Sequence, residues 1–223
     1  MDTRTRAFQH FRRVDTRFHE AVRAHQAALP AELARRKGRT ELFAALCRTV
    51  VSQQLGVAAA RSILARVKAA CGGRITVESV GRARSARLRA AGLSGAKTKT
   101  LRAAAAAVRS GRIDLPGLRH LAEDEAKSRL TEMWGIGPWS AEMFLMFSLG
   151  RPDVFSPGDL GLARAIEAIY GLPKNASREE LERIAAAWAP YRTFASLALW
   201  RTRDATSPPT PLLRRKKPRA KMG

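Results

Sequence analysis

Residues 130–147 read LTEMWGIGPWSAEMFLMF, and the two glycines at 135 and 137 decide the architecture. Gly135 and Gly137 permit backbone angles closed to other residues, so the chain can turn sharply there and leave its N–H groups exposed. Pro138 suits the first position of a helix, where a missing N–H costs nothing, and the helix beyond offers free amides and the positive end of its dipole. With helical stretches predicted on both sides, LTEM before and WSAEMFLMF after, residues from about 123 to 148 form a helix, a hairpin and a second helix. Such a turn can hold a phosphate without any cationic side chain. Without its flanks, a bare G-x-G-P reads more readily as an ordinary corner between two packed helices.

Charge favours the phosphate-binding reading. Among 223 residues, Lys and Arg outnumber Asp and Glu by 41 to 19, for a formal net charge of +22. That excess predicts a polyanionic partner, and with no long amphipathic lipid-binding helix in view, nucleic acid is favoured over an anionic membrane. Cys47 and Cys71 are the only cysteines and form no CxxC pair, which excludes a four-thiolate zinc or iron–sulfur site and a disulfide scaffold. Neither an apolar signal-peptide core nor a membrane span is found, so an intracellular protein is expected, cytoplasmic and nucleoid-associated in a bacterium.

Helical periodicity and Ala-rich stretches recur along the chain, while alternating β-branched runs are nearly absent, so the fold is expected to be all-α. Asp15 can cap a helix reaching about Ala28. After Thr40, residues Leu42, Phe43, Leu46, Val50 and Val51 share one face of a helix, and a further helix follows Gly56 to Ala70. Short helices near 77–80 and 85–90 precede SGAKTKTLRAAAAAVRSG, a helix closed by Gly111. Ser177 with Glu180 reads as a capping box, and a last helix runs from Tyr191 to about Arg203. Trp134 and Trp188 are assigned to the core. Residues 205–223 carry prolines and a run of Lys and Arg with no apolar face, and are expected to be a basic disordered tail, either an electrostatic arm or a solvated end.

Beyond the second helix of the hairpin comes FSPGDLGLARAI, residues 155–166. Asp159 stands behind Pro157 and Gly158 at the start of an amphipathic helix, where it reads first as an N-terminal cap. Capping and chemistry are compatible, because a cap holds the carboxylate in place.

Hairpin, helix, then a Gly/Pro loop (155–161) delivering one aspartate: in these motifs the sequence resembles the helix-hairpin-helix DNA glycosylases, and within them the alkylation-repair branch, the 3-methyladenine DNA glycosylase II group. The likeness extends from LCRTVVSQQLGVAAARSI to YRTFASLALW, about residues 40–204, and residues 1–39 share it only weakly. The resemblance implies a two-lobed helical domain over 1–204 with a DNA-binding cleft between the lobes. It also implies hydrolysis of the N-glycosidic bond of an alkylated base flipped out of duplex DNA, leaving an abasic site. The β-containing N-terminal domain of longer relatives is not expected.

By the same resemblance Asp159 is the catalytic residue, stabilising the sugar's positive charge or directing a water at its anomeric carbon. A base alkylated on a ring nitrogen is already cationic and leaves without a protonating acid, so the second carboxylate that ordinary glycoside hydrolysis needs is dispensable. Relatives that also cut the strand carry a lysine where this chain has Trp139, so monofunctional chemistry without lyase activity is expected. Trp139, Met143 and Trp200 are implied to line the base pocket, where aromatic faces attract an electron-deficient base. Gln54 or Leu55 is implied as the wedge that fills the gap left by the flipped nucleotide. The amides of Gly135, Gly137, Trp139 and Ser140 are implied to hold phosphate, and the carbonyls of Thr131, Met133 and Ile136 a monovalent Na+ or K+. No cofactor is required and a monomer is expected. Two alternatives remain open: a non-catalytic helix-hairpin-helix DNA binder, and a glycosylase for deaminated or oxidised bases.

Overall fold

The computed structural model describes residues 1–35 and 38–204, and the basic tail at 205–223 lies outside them. Among the described residues every regular element is helical. In chain order these are α1 (Thr3–Val14), α2 (Thr16–Val22), α3 (Arg39–Ser52), α4 (Val57–Ala70), α5 (Val77–Arg82) and α6 (Ser85–Ala90). There follow α7 (Gly95–Arg109), α8 (Glu123–Thr131), α9 (Pro138–Phe147), α10 (Leu160–Tyr170), α11 (Arg178–Ala186) and α12 (Arg192–Asp204).

Side chains that accept first-turn amides start several of these helices, offsetting donors that have no partner within the helix. Asp15 accepts from Phe18 N at 2.9 Å, Ser94 from Lys97 N at 3.2 Å and Ser177 from Glu180 N at 3.2 Å. A reciprocal capping box forms between Thr76 and Ser79. The helix expected from Asp15 to Ala28 ends earlier as an α-helix, at Val22, and tightens into a 3-10 turn over Arg23–Ala28. No helix is expected before Asp15 from the sequence, yet α1 is regular. Its buried stripe is only Ala7, Phe8 and Phe11 among arginines and polar residues, too narrow to stand out.

Two apolar cores define two lobes. The first holds buried residues from Leu42 to Val154 and is built by α3–α9; Leu42, Phe43, Leu46, Val50 and Val51 all face into it, as their spacing predicts. The second joins the two ends of the described chain, Ala7–Leu29 with Phe155–Leu199. Residues 7–33, within the stretch weak in likeness, therefore complete the second lobe. Phe11 meets Phe18 edge-on with ring centroids 5.1 Å apart, and Phe18 stacks at 4.3 Å on the buried Trp188. Burying each such side chain is worth about 1.5–3 kcal/mol, which fastens α1 and α2 to the C-terminal helices.

The chain crosses from the first core to the second between Val154 and Phe155. The Gly/Pro loop with its aspartate lies immediately after that crossing. Phe147 and Trp200 pack against both cores, with their rings stacked at 5.8 Å.

Candidate active site

Asp159 is the N-cap of α10, its Oδ1 accepting the Leu162 amide at 3.0 Å. The capping expected from sequence is thus present, and two further donors converge on the same carboxylate. Trp200 Nε1 donates to Oδ1 at 3.0 Å, and Trp139 Nε1 donates to Oδ2 at 2.8 Å. Trp139 comes from the hairpin helix α9 and Trp200 from α12, so one carboxylate is held from both lobes at their seam. An indole N–H can only donate, and a carboxylate oxygen has two lone-pair sites. Among the described residues Oδ1 takes two donors, whereas Oδ2 takes one and keeps an acceptor site free. The aspartate and both tryptophans remain partly exposed.

Close approach at this point requires Gly161. A Cβ there would lie 2.8 Å from Asp159 Oδ1 and 3.2 Å from two atoms of the Trp200 indole ring. The loop itself is held from beneath. Buried Ser156 donates its hydroxyl to Glu142 Oε2 at 2.6 Å, and its carbonyl accepts the Asp159 amide at 3.1 Å. Glu142, 1% exposed on α9, has Lys127 Nζ of α8 at 3.6 Å from its other oxygen. The two helices of the hairpin thereby carry the loop that presents the aspartate.

The hairpin's two glycines serve different ends. Gly135 has φ +79, and a Cβ on it would stand 2.1 Å from Thr100 Oγ1 of α7. Gly137 has φ −89, which other residues adopt readily, so the sequence-based expectation of special backbone angles fails there. Its bare Cα instead leaves open space, with nothing within 4 Å of where a Cβ would be. Pro138 occupies the first turn of α9, whose leading amides, Trp139 and Ser140 among them, have no acceptor within the helix.

Gln54 and Leu55 are both exposed in the short link between α3 and α4. Gln54 has φ +52, a left-handed conformation that is uncommon outside glycine and is kept only where neighbours enforce it. Those neighbours are Gln53 and Lys97, neither anticipated from the sequence. Gln53 Nε2 donates to Ser140 Oγ at 2.7 Å and to the Gly135 carbonyl at 3.3 Å, fastening the link to the hairpin. Lys97 Nζ donates to the carbonyls of Val51 and Gln53 at 2.9 and 2.6 Å, completing the C-terminus of α3. Burial lowers the Lys97 pKa from its ordinary value.

Met143, implied by the resemblance to line the base pocket, is 4% exposed and packs in the first core. One placement from the sequence is corrected. Trp134, expected in the core, is 45% exposed: the turn at Gly135 leaves it outside, with Lys99 Nζ 4.1 Å from its ring centroid. Trp188 is buried as expected.

Comparison with known proteins identifies the family. The family model described as HhH-GPD superfamily base excision DNA repair protein matches residues 47–190. A putative DNA-3-methyladenine glycosylase, YfjP of Bacillus subtilis, is 36% identical over 95 residues, covering 43% of this chain and 33% of that protein. The crystal structure of a DNA-3-methyladenine glycosidase from Bacillus halodurans superposes with a TM-score of 0.72 at 34% identity, over 89% of this chain and 88% of that one. A Schizosaccharomyces pombe 3-methyladenine DNA glycosylase, Mag1, in complex with abasic DNA gives a TM-score of 0.77 at 31% identity, over 88% and 95%. The aligned stretch spans 33% of the length of YfjP and 41% of that of a curated DNA-3-methyladenine glycosylase 1 of Schizosaccharomyces pombe. The chain belongs to the HhH-GPD superfamily of base excision DNA repair proteins.

Proposed function

We propose that this protein is a monofunctional DNA glycosylase that hydrolyses the N-glycosidic bond of alkylated bases, of the 3-methyladenine type, in duplex DNA. The observation that carries the reading is the carboxylate of Asp159, oriented by two indoles and a helix amide with one acceptor site of Oδ2 left free. A protein that only bound DNA would gain nothing from fixing a negative charge beside the phosphate-binding turn. The similar protein in complex with abasic DNA supports the same substrate class.

In this mechanism the hairpin amides of Gly135, Gly137, Trp139 and Ser140 grip phosphate, and Gln54 or Leu55 enters the stack as the nucleotide swings out, at a cost of a few kcal/mol. The faces of Trp139 and Trp200 receive the cationic base. Its C–N bond breaks with the electron pair passing to the base, which leaves neutral. The charge left on the sugar is met by Asp159, and Oδ2 accepts the proton of a water that adds to the anomeric carbon. Trp139 stands where a Schiff-base lysine would be needed, so the strand stays uncut. The Met133 carbonyl accepts the Ile136 amide at 3.0 Å and retains a second lone pair, so with Thr131 and Ile136 it could join a carbonyl set for Na+ or K+.

The test is alkali-dependent strand cleavage on duplexes each carrying one defined lesion, under single turnover, with wild type beside Asp159→Asn. Alkylated purines are expected to be released by wild type, with the variant slower by about 10²-fold or more at undiminished DNA affinity. Release by the variant at the wild-type rate would remove the aspartate from the mechanism. Binding without release of any alkylated base would leave a DNA-binding protein.

A further inference from the structure

A groove of about 600 Å³ runs along α7 on the side facing α5 and α6. Arg89, Lys99, Arg102 and Arg109 line it, Gly81 and Gly95 leave its walls low, and no carboxylate is among its lining residues. None of the four cations forms an ion pair among the described residues. Arg102 is anchored by donating to the Ala83 carbonyl at 2.6 Å, which fixes its guanidinium at the groove wall.

This groove is continuous with the hairpin. Thr100 of α7 is the residue against which Gly135 turns, and Lys99, one position earlier, lies over the exposed Trp134 ring. From there the groove follows α7 for about 15 Å, the helix rising ~1.5 Å per residue to Arg109. One strand of a duplex presents a phosphate about every 3.4 Å along the axis, so a backbone leaving the hairpin meets several positive charges in succession.

We infer that the α5–α7 groove is a second DNA-backbone site, which holds the phosphates of the duplex flanking the lesion and is separate from the hairpin. It rests on the reading of DNA as partner but not on catalysis. Its function is retention on undamaged DNA during search, since contacts to phosphate alone carry no sequence or lesion information.

The test compares wild type with Arg89→Ala/Arg109→Ala, two exposed groove residues on α6 and α7, on an undamaged 20-base-pair duplex over a range of salt. Each lost phosphate contact lowers the slope of log K against log salt by about 0.9, so the double variant is expected to lose roughly 1.8. An unaltered thermal midpoint confirms that the fold is kept. A salt slope equal to wild type on the long duplex overturns the groove site alone. Failure of the wild type to bind duplex at all overturns the DNA reading together with it.

Discussion

Replacing Asp159 with Asn tests the clamp as well as the chemistry. The carboxylate accepts three N–H groups and donates to none, whereas an Asn side chain must place its NH2 on one side. In its better orientation the amide oxygen keeps the Leu162 and Trp200 bonds, and the NH2 then faces Trp139 Nε1 across a distance that is now 2.8 Å, donor against donor. One charge-assisted bond is lost and two are weakened. Hydrogen bonds to charged groups contribute about 1.5–3 kcal/mol, and because the site is partly open to water the expected loss of stability is about 1–3 kcal/mol. For a chain of this size that corresponds to a fall in the thermal midpoint of roughly 2–12 °C, measurable by circular dichroism or calorimetry. Base release, assayed well below the lowered midpoint, falls by about 10²-fold or more. An Asn variant that melts with the wild type refutes the three-donor geometry, whatever its activity.

The two hairpin glycines should separate fold from binding. Gly135→Ala forces a Cβ onto the Thr100 hydroxyl in a left-handed backbone and is expected to lower stability by about 1–3 kcal/mol, read as the thermal midpoint. Gly137→Ala meets nothing in the free protein, so stability should hold while affinity for duplex DNA falls several-fold in a fluorescence anisotropy titration. Glu142→Ala leaves Ser156 without its acceptor and Lys127 without its nearest carboxylate; stability should drop by about 1.5–3 kcal/mol and single-turnover release should slow with little change in DNA affinity. Gly161→Ala should push the Trp200 indole off Asp159, slowing release by about tenfold while salt-dependent binding stays as it was.

How much of this was legible in the sequence depends on the range of the contacts involved. The hairpin, Pro138 and the Asp159 cap are local turn and helix-end chemistry, so the residues alone point to them. Gln53 was not legible, because its role lies in bonds to Gly135 and Ser140, 82 and 87 residues away. Lys97 likewise reaches back 44 and 46 residues to the end of α3. Gly161 looks like any small residue in a first helical turn until the indole from α12 is brought against it. Trp134 misled because a large aromatic ring is buried by default, whereas here a tight turn holds it out under a lysine. Met143 follows the helical periodicity into the first core.

Because Trp200 belongs to both cores and also donates to Asp159, chemical competence is tied to the docking of the lobes. A chain in which only the central helices have folded already owns the phosphate-gripping turn, yet its acid is not aimed. On the proposed mechanism, such an intermediate would bind DNA without releasing a base. Mild denaturant should therefore extinguish excision before helical content declines, which makes loss of activity the earliest sign that the two halves have parted.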